Sequence, residues 1–287
     1  MTTDNEPEQQ QIDHWLKVAQ ETIDRSWQDY HSNFYEKENI PIQAFYTGLA
    51  DAYAELARAQ FLNGEPRNVF RSNFSKATSY IIKSFKMAYD KSDPDYVGDK
   101  EPPDNSGFGY GYVDWSEVSE RTFIEGMHYA LMGADFDIAR ELAKLFRNPP
   151  DGGMKEKEVS RYAHALKFAL MGVKDPGKEL LRKTLNERKT KKTKDPLKLN
   201  YLTLSHALYG ILDNDEALFN KGLELQIAFN QPYAQGEEKD TVYEFICDNA
   251  VALANLAISY KIRVTVEHYT LPKGMLMQPE DPDSWFA

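Results

Sequence analysis

The side chains that most often carry chemistry are present in this sequence, but not in the spacings that chemistry requires. Six histidines, at positions 14, 31, 128, 164, 206 and 268, form no HxxxH or HExxH pair. No helical turn therefore offers two imidazoles to one metal ion. His128, His164 and His206 each precede a glycine of an internal repeat, which favours helix packing over ligation or base catalysis. Cys247 stands alone, so there is no intrachain disulfide framework and no CxxC or Cys/His cluster for zinc. Its neighbours Phe245, Ile246 and Asp248 suggest a mid-helix position, where a cysteine acts as a small buried hydrophobe rather than a nucleophile. No GxSxG elbow occurs. Gly107-Phe-Gly-Tyr-Gly-Tyr112 has glycines that can cradle phosphate. It lacks the following Lys-Ser/Thr and the strand and helix flanks of nucleotide sites, so an aromatic loop is favoured. Carboxylates at helical spacing abound, as they must in a helical chain with 45 acidic residues. No catalytic residue, metal or cofactor is assigned on these grounds.

Charge is more informative. The chain carries 34 Lys+Arg against 45 Asp+Glu, a net charge of −11. That balance argues against a protein built to grip nucleic-acid backbones. The basic run Glu187 to Lys194 reads as a solvated linker against the acidic total. The opposite feature lies between Asp90 and Asp104. Asp90, Asp93, Asp95, Asp99, Glu101 and Asp104 are offset within that stretch only by Lys91 and Lys100. Tyr110, Tyr112 and Trp115 follow closely, and aromatics flanked by acids suit the anchoring and steering of a basic partner. Asp93, Asp95, Asp99, Glu101, Tyr110, Tyr112 and Trp115 are accordingly the candidate partner-binding residues; the competing reading is a solvated loop. The polar, acidic N-terminus has no secretory character, and no run of about 18 apolar residues occurs. The expectation is a soluble cytoplasmic protein with no membrane contact.

The elements that must position these residues are helical. With 41% hydrophobic and 13% aromatic residues the chain is no disordered polyelectrolyte. Ile12, Trp15, Leu16, Ile23, Trp27, Tyr30 and Phe34 recur along one helical stripe. Pro41 precedes a second stripe (Ile42, Phe45, Leu49, Tyr53, Leu56) that runs to Asn63-Gly64. A third passes through Phe70, Phe74, Ala77, Ile81, Phe85 and Ala88. Residues 91–113 lack any period and form a long connection. From Asp114 helices return and repeat. Ala130-Leu-Met-Gly133, Ala169-Leu-Met-Gly172 and Ala207-Leu-Tyr-Gly210 lie 39 and 38 residues apart, each between two amphipathic runs. This predicts three helical hairpins in which the glycine ends the first helix and Asp135, Asp175 or Asp213 begins the next. Asn63-Gly64 is a weaker, earlier copy. A last helix spans about 240–260, and Lys261 to Tyr269 alternates like a strand; the expectation is an extended arm packed against the preceding helices, the alternative being pairing with a partner not evident in the sequence. The expected fold is all-α: stacked antiparallel helical hairpins, α-solenoid-like or closed as a bundle, with a short extended C-terminal segment. Residues 1–90 hold long helices, 91–113 the acidic and aromatic loop, and 114–287 the hairpins and arm, continuous with 11–90.

Two C-terminal segments carry a resemblance. Leu199 to Gln231 (LNYLTLSHALYGILDNDEALFNKGLELQIAFNQ) and Phe245 to Met277 (FICDNAVALANLAISYKIRVTVEHYTLPKGMLM) resemble the immunity protein 49 family of bacterial polymorphic-toxin systems. The closing extended motif falls on Val264, Val266, Leu271, Pro272, Met275 and Leu276, and the likeness extends upstream to about Phe70. Where many members have an acid–Arg pair or Gly-Pro near the last helix, this chain has Asp240-Thr241 and Asp248-Asn249. The resemblance implies an antitoxin without catalytic residues that binds a cognate protein toxin and blocks it. An acidic surface suits a toxin whose active site attracts phosphate. Two other readings stand beside it. One is a helical-repeat adaptor that docks peptides or subunits. The other is a helical enzyme whose acid and base come from distant helices. A homodimer through the aromatic first helix is also compatible with the sequence.

Overall fold

In the computed structural model, residues 6–100, 109–147, 156–190 and 193–278 are described. They form α1 (Gln9–His31), α2 (Phe34–Lys37), α3 (Ile42–Leu62), α4 (Arg67–Tyr89), α5 (Glu120–Met132), α6 (Phe136–Leu145), α7 (Lys157–Leu170), α8 (Lys174–Thr190), α9 (Pro196–Asp213), α10 (Glu216–Ala234), α11 (Val242–Phe245) and α12 (Asp248–Ser259). The fold is all-α, and among the described residues there is no strand.

Helices adjacent in the chain pack as antiparallel neighbours: α3 on α4, α5 on α6, α7 on α8 and α9 on α10. The Asn63-Gly64 signal does close a hairpin, with Asn63 ending α3 and Gly64 in the left-handed region at φ 76°. α12 is buried along almost its whole length and packs against α5, α9 and α10, so it runs through the inside of the stack. Its composition explains this: beyond Asp248-Asn249, AVALANLAIS carries small and apolar side chains around most of its circumference. One contiguous core extends from Ala50 to Met277, and a smaller one joins α1 to α3 through Ala19, Ile23, Phe45 and Leu49. Phe123 and Phe146 stack at 3.9 Å in the larger core.

The hairpin turns differ from the expected scheme. Asp135 does cap α6, accepting the Ile138 N–H at 3.1 Å, and Gly172 lies just beyond α7 at φ 71°. Asp175, however, sits inside the first turn of α8, and Asp213 is the last residue of α9. α9 runs through Gly210 to a left-handed Asn214, and Asp215 caps α10 instead. Gly210 serves a different purpose. A Cβ there would stand 2.4 Å from the Phe219 backbone nitrogen, and one at Gly222 would stand 2.3 Å from that of Ala207. Bare backbone at both positions lets α9 and α10 approach closely.

Three further boundaries are corrected. Phe34 does not continue the first stripe, because Asn33 turns left-handed at φ 57° and starts α2. Helix resumes at Glu120 rather than Asp114, since the Asp114 carboxylate accepts the Ser116 N–H and hydroxyl and holds a turn. The last helix is broken at Ile246-Cys247, both extended, where the Cys247 N–H donates to the Thr270 carbonyl at 2.8 Å.

The C-terminal arm forms no ladder. The Asn220 side chain instead donates to the Arg263 carbonyl at 2.9 Å and accepts the Thr265 N–H at 2.8 Å, as a neighbouring strand would. Beyond it, the fully buried Asn255 donates to the Leu131 carbonyl at 2.9 Å and accepts the Met277 N–H at 2.8 Å. One amide thereby joins α5, α12 and the chain beyond the arm.

Candidate functional site

The described part of the acidic loop is held by ion pairs. Lys83 on α4 lies 2.7 Å from both the Asp93 and Asp95 carboxylates, and Lys91 lies 2.6 Å from that of Asp99. Asp93 is nearly buried at 8% side-chain exposure and also accepts the Asp95 N–H. Val97 is fixed in the core, its N–H on the Met87 carbonyl at 2.9 Å. Tyr110 is exposed and shares a groove of about 270 Å³ with Tyr30, Tyr46, Asp95 and Tyr96. Tyr112 is half-buried, and Trp115 packs inward against Tyr89 at 5.8 Å, so it is partly a core residue. Glu101, with Asp104 and Gly107–Phe108, falls outside the described residues. The structure thus brings Asp95 and Tyr110 to one groove and gives Asp93 a structural task.

A second acidic region was not visible in the sequence. On α3, Thr47, Asp51, Glu55 and Arg58 follow one another at helical spacing; Glu117, Arg121, Glu125 and Tyr129 do so across the start of α5. The two rows meet. The Thr47 hydroxyl donates to Glu117 at 2.6 Å, and the Tyr129 hydroxyl to Asp51 at 2.9 Å.

Arg58 anchors the end of this seam at 1% exposure. Its Nε donates to the Asp248 carboxylate at 3.0 Å and Nη2 makes a second, shorter contact with it. The Tyr243, Tyr129 and Phe74 rings face the guanidinium at 4.6, 5.5 and 5.9 Å. Burial opposes the charge on Arg58, but Asp248 and the surrounding oxygens outweigh it and its pKa rises. The helix break at 246–247 is explained here: it starts α12 where Asp248 meets the guanidinium.

The remaining carboxylates are left short of cations. Asp51 and Glu125 are exposed and Glu55 is half-buried, with protein crowding around their carboxyl groups. Desolvation, then the charge of Asp51, pushes the Glu125 carboxyl up to about 7, with Arg121 opposing and Glu117 adding to the rise. Asp51 and Glu55 are also raised, chiefly by burial, despite Arg58 nearby. Arg58 is already committed to Asp248, and Arg121 is the one cation acting on Glu125. The seam between the two rows therefore carries unspent negative charge.

Two cavities open beside Tyr243. One, of about 320 Å³, is polar, with Asn200, Asn230, Asn249, Tyr233 and Asp248 in its wall. Cys247 also borders it, but burial pushes the thiol to about 12, and the residue precedes α12 rather than lying mid-helix. The other, of about 440 Å³, lies between α1, α3 and the α10–α11 connection and is lined by Trp15, Glu55, Glu238, Asp240 and Tyr243. His128 is buried with Nε2 3.1 Å from the Tyr162 hydroxyl, and burial lowers its pKa to about 4. It is a neutral packing residue at pH 7. His164 is likewise lowered, by burial and Lys167.

The signal that could have revealed this region is Arg58 itself: a cation inside the largely apolar run Ala57-Arg-Ala59, at helical spacing from Asp51 and Glu55. Such a residue is buried only when paired. Among the described residues no group of three or more His, Cys, Asp and Glu is arranged to hold a metal ion, and no helix is long and apolar enough to cross a membrane. No protein-family model, curated protein or solved structure matches the chain.

Proposed function

We propose that the chain is an immunity protein that binds a cognate bacterial polymorphic toxin in the cytoplasm and neutralises it by steric and electrostatic blocking. The observation that carries this reading is the under-neutralised acidic seam of Asp51, Glu55, Glu117 and Glu125 between α3 and the start of α5. The Asp51, Glu55 and Glu125 carboxyl pKa values are raised because the loss of hydration and the repulsion among these acids are not fully answered by cations within the protein. A basic partner surface supplies those cations. The stacked hairpins hold the seam in a fixed shape, which a steric plug requires. The resemblance of residues 199–277 to an immunity family supports the same reading from the sequence side. The acidic loop then plays the smaller part in attracting the partner, since its charges are locally paired. The test is co-expression with the toxin encoded beside this chain. Survival together with co-purification is the expected outcome. Death of the cells despite soluble protein would reject the proposal.

One observation favours a second reading. A carboxyl near 7 beside another carboxylate is the protonation behaviour of a general acid, so Glu125 and Asp51 are also the best candidates in an enzyme. Glu125→Gln separates the two. A blocking protein keeps protecting cells with this change, whereas an enzyme that protects by turnover loses protection.

A further inference from the structure

We propose that the 440 Å³ cavity beside Tyr243 is a receptor for a single arginine side chain presented by a protein partner. This rests on the reading of the chain as a binder of basic surfaces and names the contact that would anchor it.

The cavity combines the two surfaces that an arginine needs. Trp15 and the 40%-exposed Val18 form an apolar flank for an alkyl stem, and Glu55, Glu238 and Asp240 supply three carboxylates for the head. Among the described residues no Lys or Arg lines it, and His14 is the one basic residue in its wall. The carboxylates are poorly satisfied from within. Glu238 accepts from the Thr241 hydroxyl at 3.4 Å, Asp240 accepts from the Gln11 amide at 3.4 Å, and Glu55 lacks any ion pair among the described residues. The walls are set in place: the Trp15 indole N–H donates to the Asp240 carbonyl at 3.2 Å, and the Asp240 N–H donates to Glu244 at 2.7 Å. Asp240 is itself held in the left-handed region at φ 64°.

Arginine fits better than lysine. Its planar head stacks on aromatic faces while bonding carboxylates in its plane, and it is more weakly hydrated than an ammonium. The protein already contains such a pairing, since Tyr243 holds the Arg58 guanidinium at 4.6 Å beside Asp248. The raised pKa of Glu55 agrees with a carboxylate waiting for a cation.

The test uses L-argininamide on the full-length protein, followed through the Trp15 indole N–H resonance. A saturable shift at concentrations on the order of millimolar is expected for one small cation in an open site. L-citrullinamide, the neutral isostere, should give no saturation. Glu55→Gln combined with Asp240→Asn should weaken the response about tenfold or more, as expected for two lost charge-assisted contacts. Val18→Arg, which offers the cavity a guanidinium from its own rim, should abolish the response even if the double variant folds poorly. No saturable shift, equal binding of citrullinamide, or an unchanged response in Val18→Arg would overturn the proposal. The immunity reading fails separately. Argininamide binding without toxin rescue would reject that reading alone, and rescue undiminished in the Val18→Arg chain would reject the arginine site alone.

Discussion

The two acidic regions of this molecule look alike in composition and behave oppositely. In the loop after α4, Lys83 answers Asp93 and Asp95, and Lys91 answers Asp99. In the seam between α3 and α5, Asp51, Glu55 and Glu125 share too few cations and are all driven toward protonation. A dense run of acids along the chain therefore does not locate the strongest unmet charge. Neutralisation in three dimensions does. The described loop carboxylates have lysine partners within reach, whereas Asp51, Glu55 and Glu125 are crowded by protein and by one another without a lysine or arginine of their own among the described residues.

The largest expected effect comes from the pair that ends the seam. Asp248→Ala strands the Arg58 guanidinium in the core and should cost about 3–5 kcal/mol of stability, read from urea unfolding. Asp99→Ala in the loop removes an exposed pair and should change stability by less than about 1 kcal/mol. Comparable losses would erase the distinction drawn here.

Next is association. Glu55→Lys with Glu125→Lys should slow toxin binding by about tenfold or more at low salt, because neither charge is neutralised by a lysine partner among the described residues. Asp95→Lys with Asp99→Lys should slow it only a few-fold, as each loop acid already has a lysine partner. The reverse order would place the interface on the loop.

The pH dependence sharpens the comparison further. The folded pKa of Glu125 lies near 7, above the ordinary value of 4.5, so its ionisation opposes folding. The penalty is absent below about pH 4, grows as pH rises, and is complete above about 7. Glu125→Gln should therefore raise the melting temperature at pH 8 and lose that advantage by pH 4. Binding of a basic partner favours the ionised form and should release a proton near pH 7. Calorimetry in buffers of different ionisation enthalpy reads this directly. Proton uptake would show that the partner does not meet Glu125.

The smallest effect tests the hinge of the arm. Asn220→Asp keeps an acceptor for the Thr265 N–H but removes the donor to the Arg263 carbonyl. It should cost about 1–2 kcal/mol in unfolding experiments without changing toxin association.

Much of this fold was legible because local periodicity dictates it. The stripes Ile42–Leu56 and Phe70–Ala88 are the buried faces of α3 and α4, and the repeated Ala-Leu-aromatic/Met-Gly segments mark real hairpins. Where the reading failed, a long-range contact overrode the local signal. Apolar register carried a helix straight through 246–247, but the Thr270 carbonyl and Arg58 break it there. Gly210 has the local context of a terminator and is used for helix contact, which only its partner Phe219 reveals. The seam was not legible for the same reason. Its defining contacts join Thr47 to Glu117, Asp51 to Tyr129 and Arg58 to Asp248, pairs separated by 70, 78 and 190 residues. The acidic loop was legible as a run of charge, but not its lysine partner on α4.

The most direct test of the central claim is the ionic-strength dependence of the association rate between this chain and its toxin. The unaltered chain, the seam variant Glu55→Lys/Glu125→Lys and the loop variant Asp95→Lys/Asp99→Lys would be compared in stopped flow. The account predicts a steep fall in rate with salt for the unaltered chain, a slightly shallower one for the loop variant and a nearly flat one for the seam variant. A seam variant as fast and as salt-sensitive as the unaltered chain would contradict it.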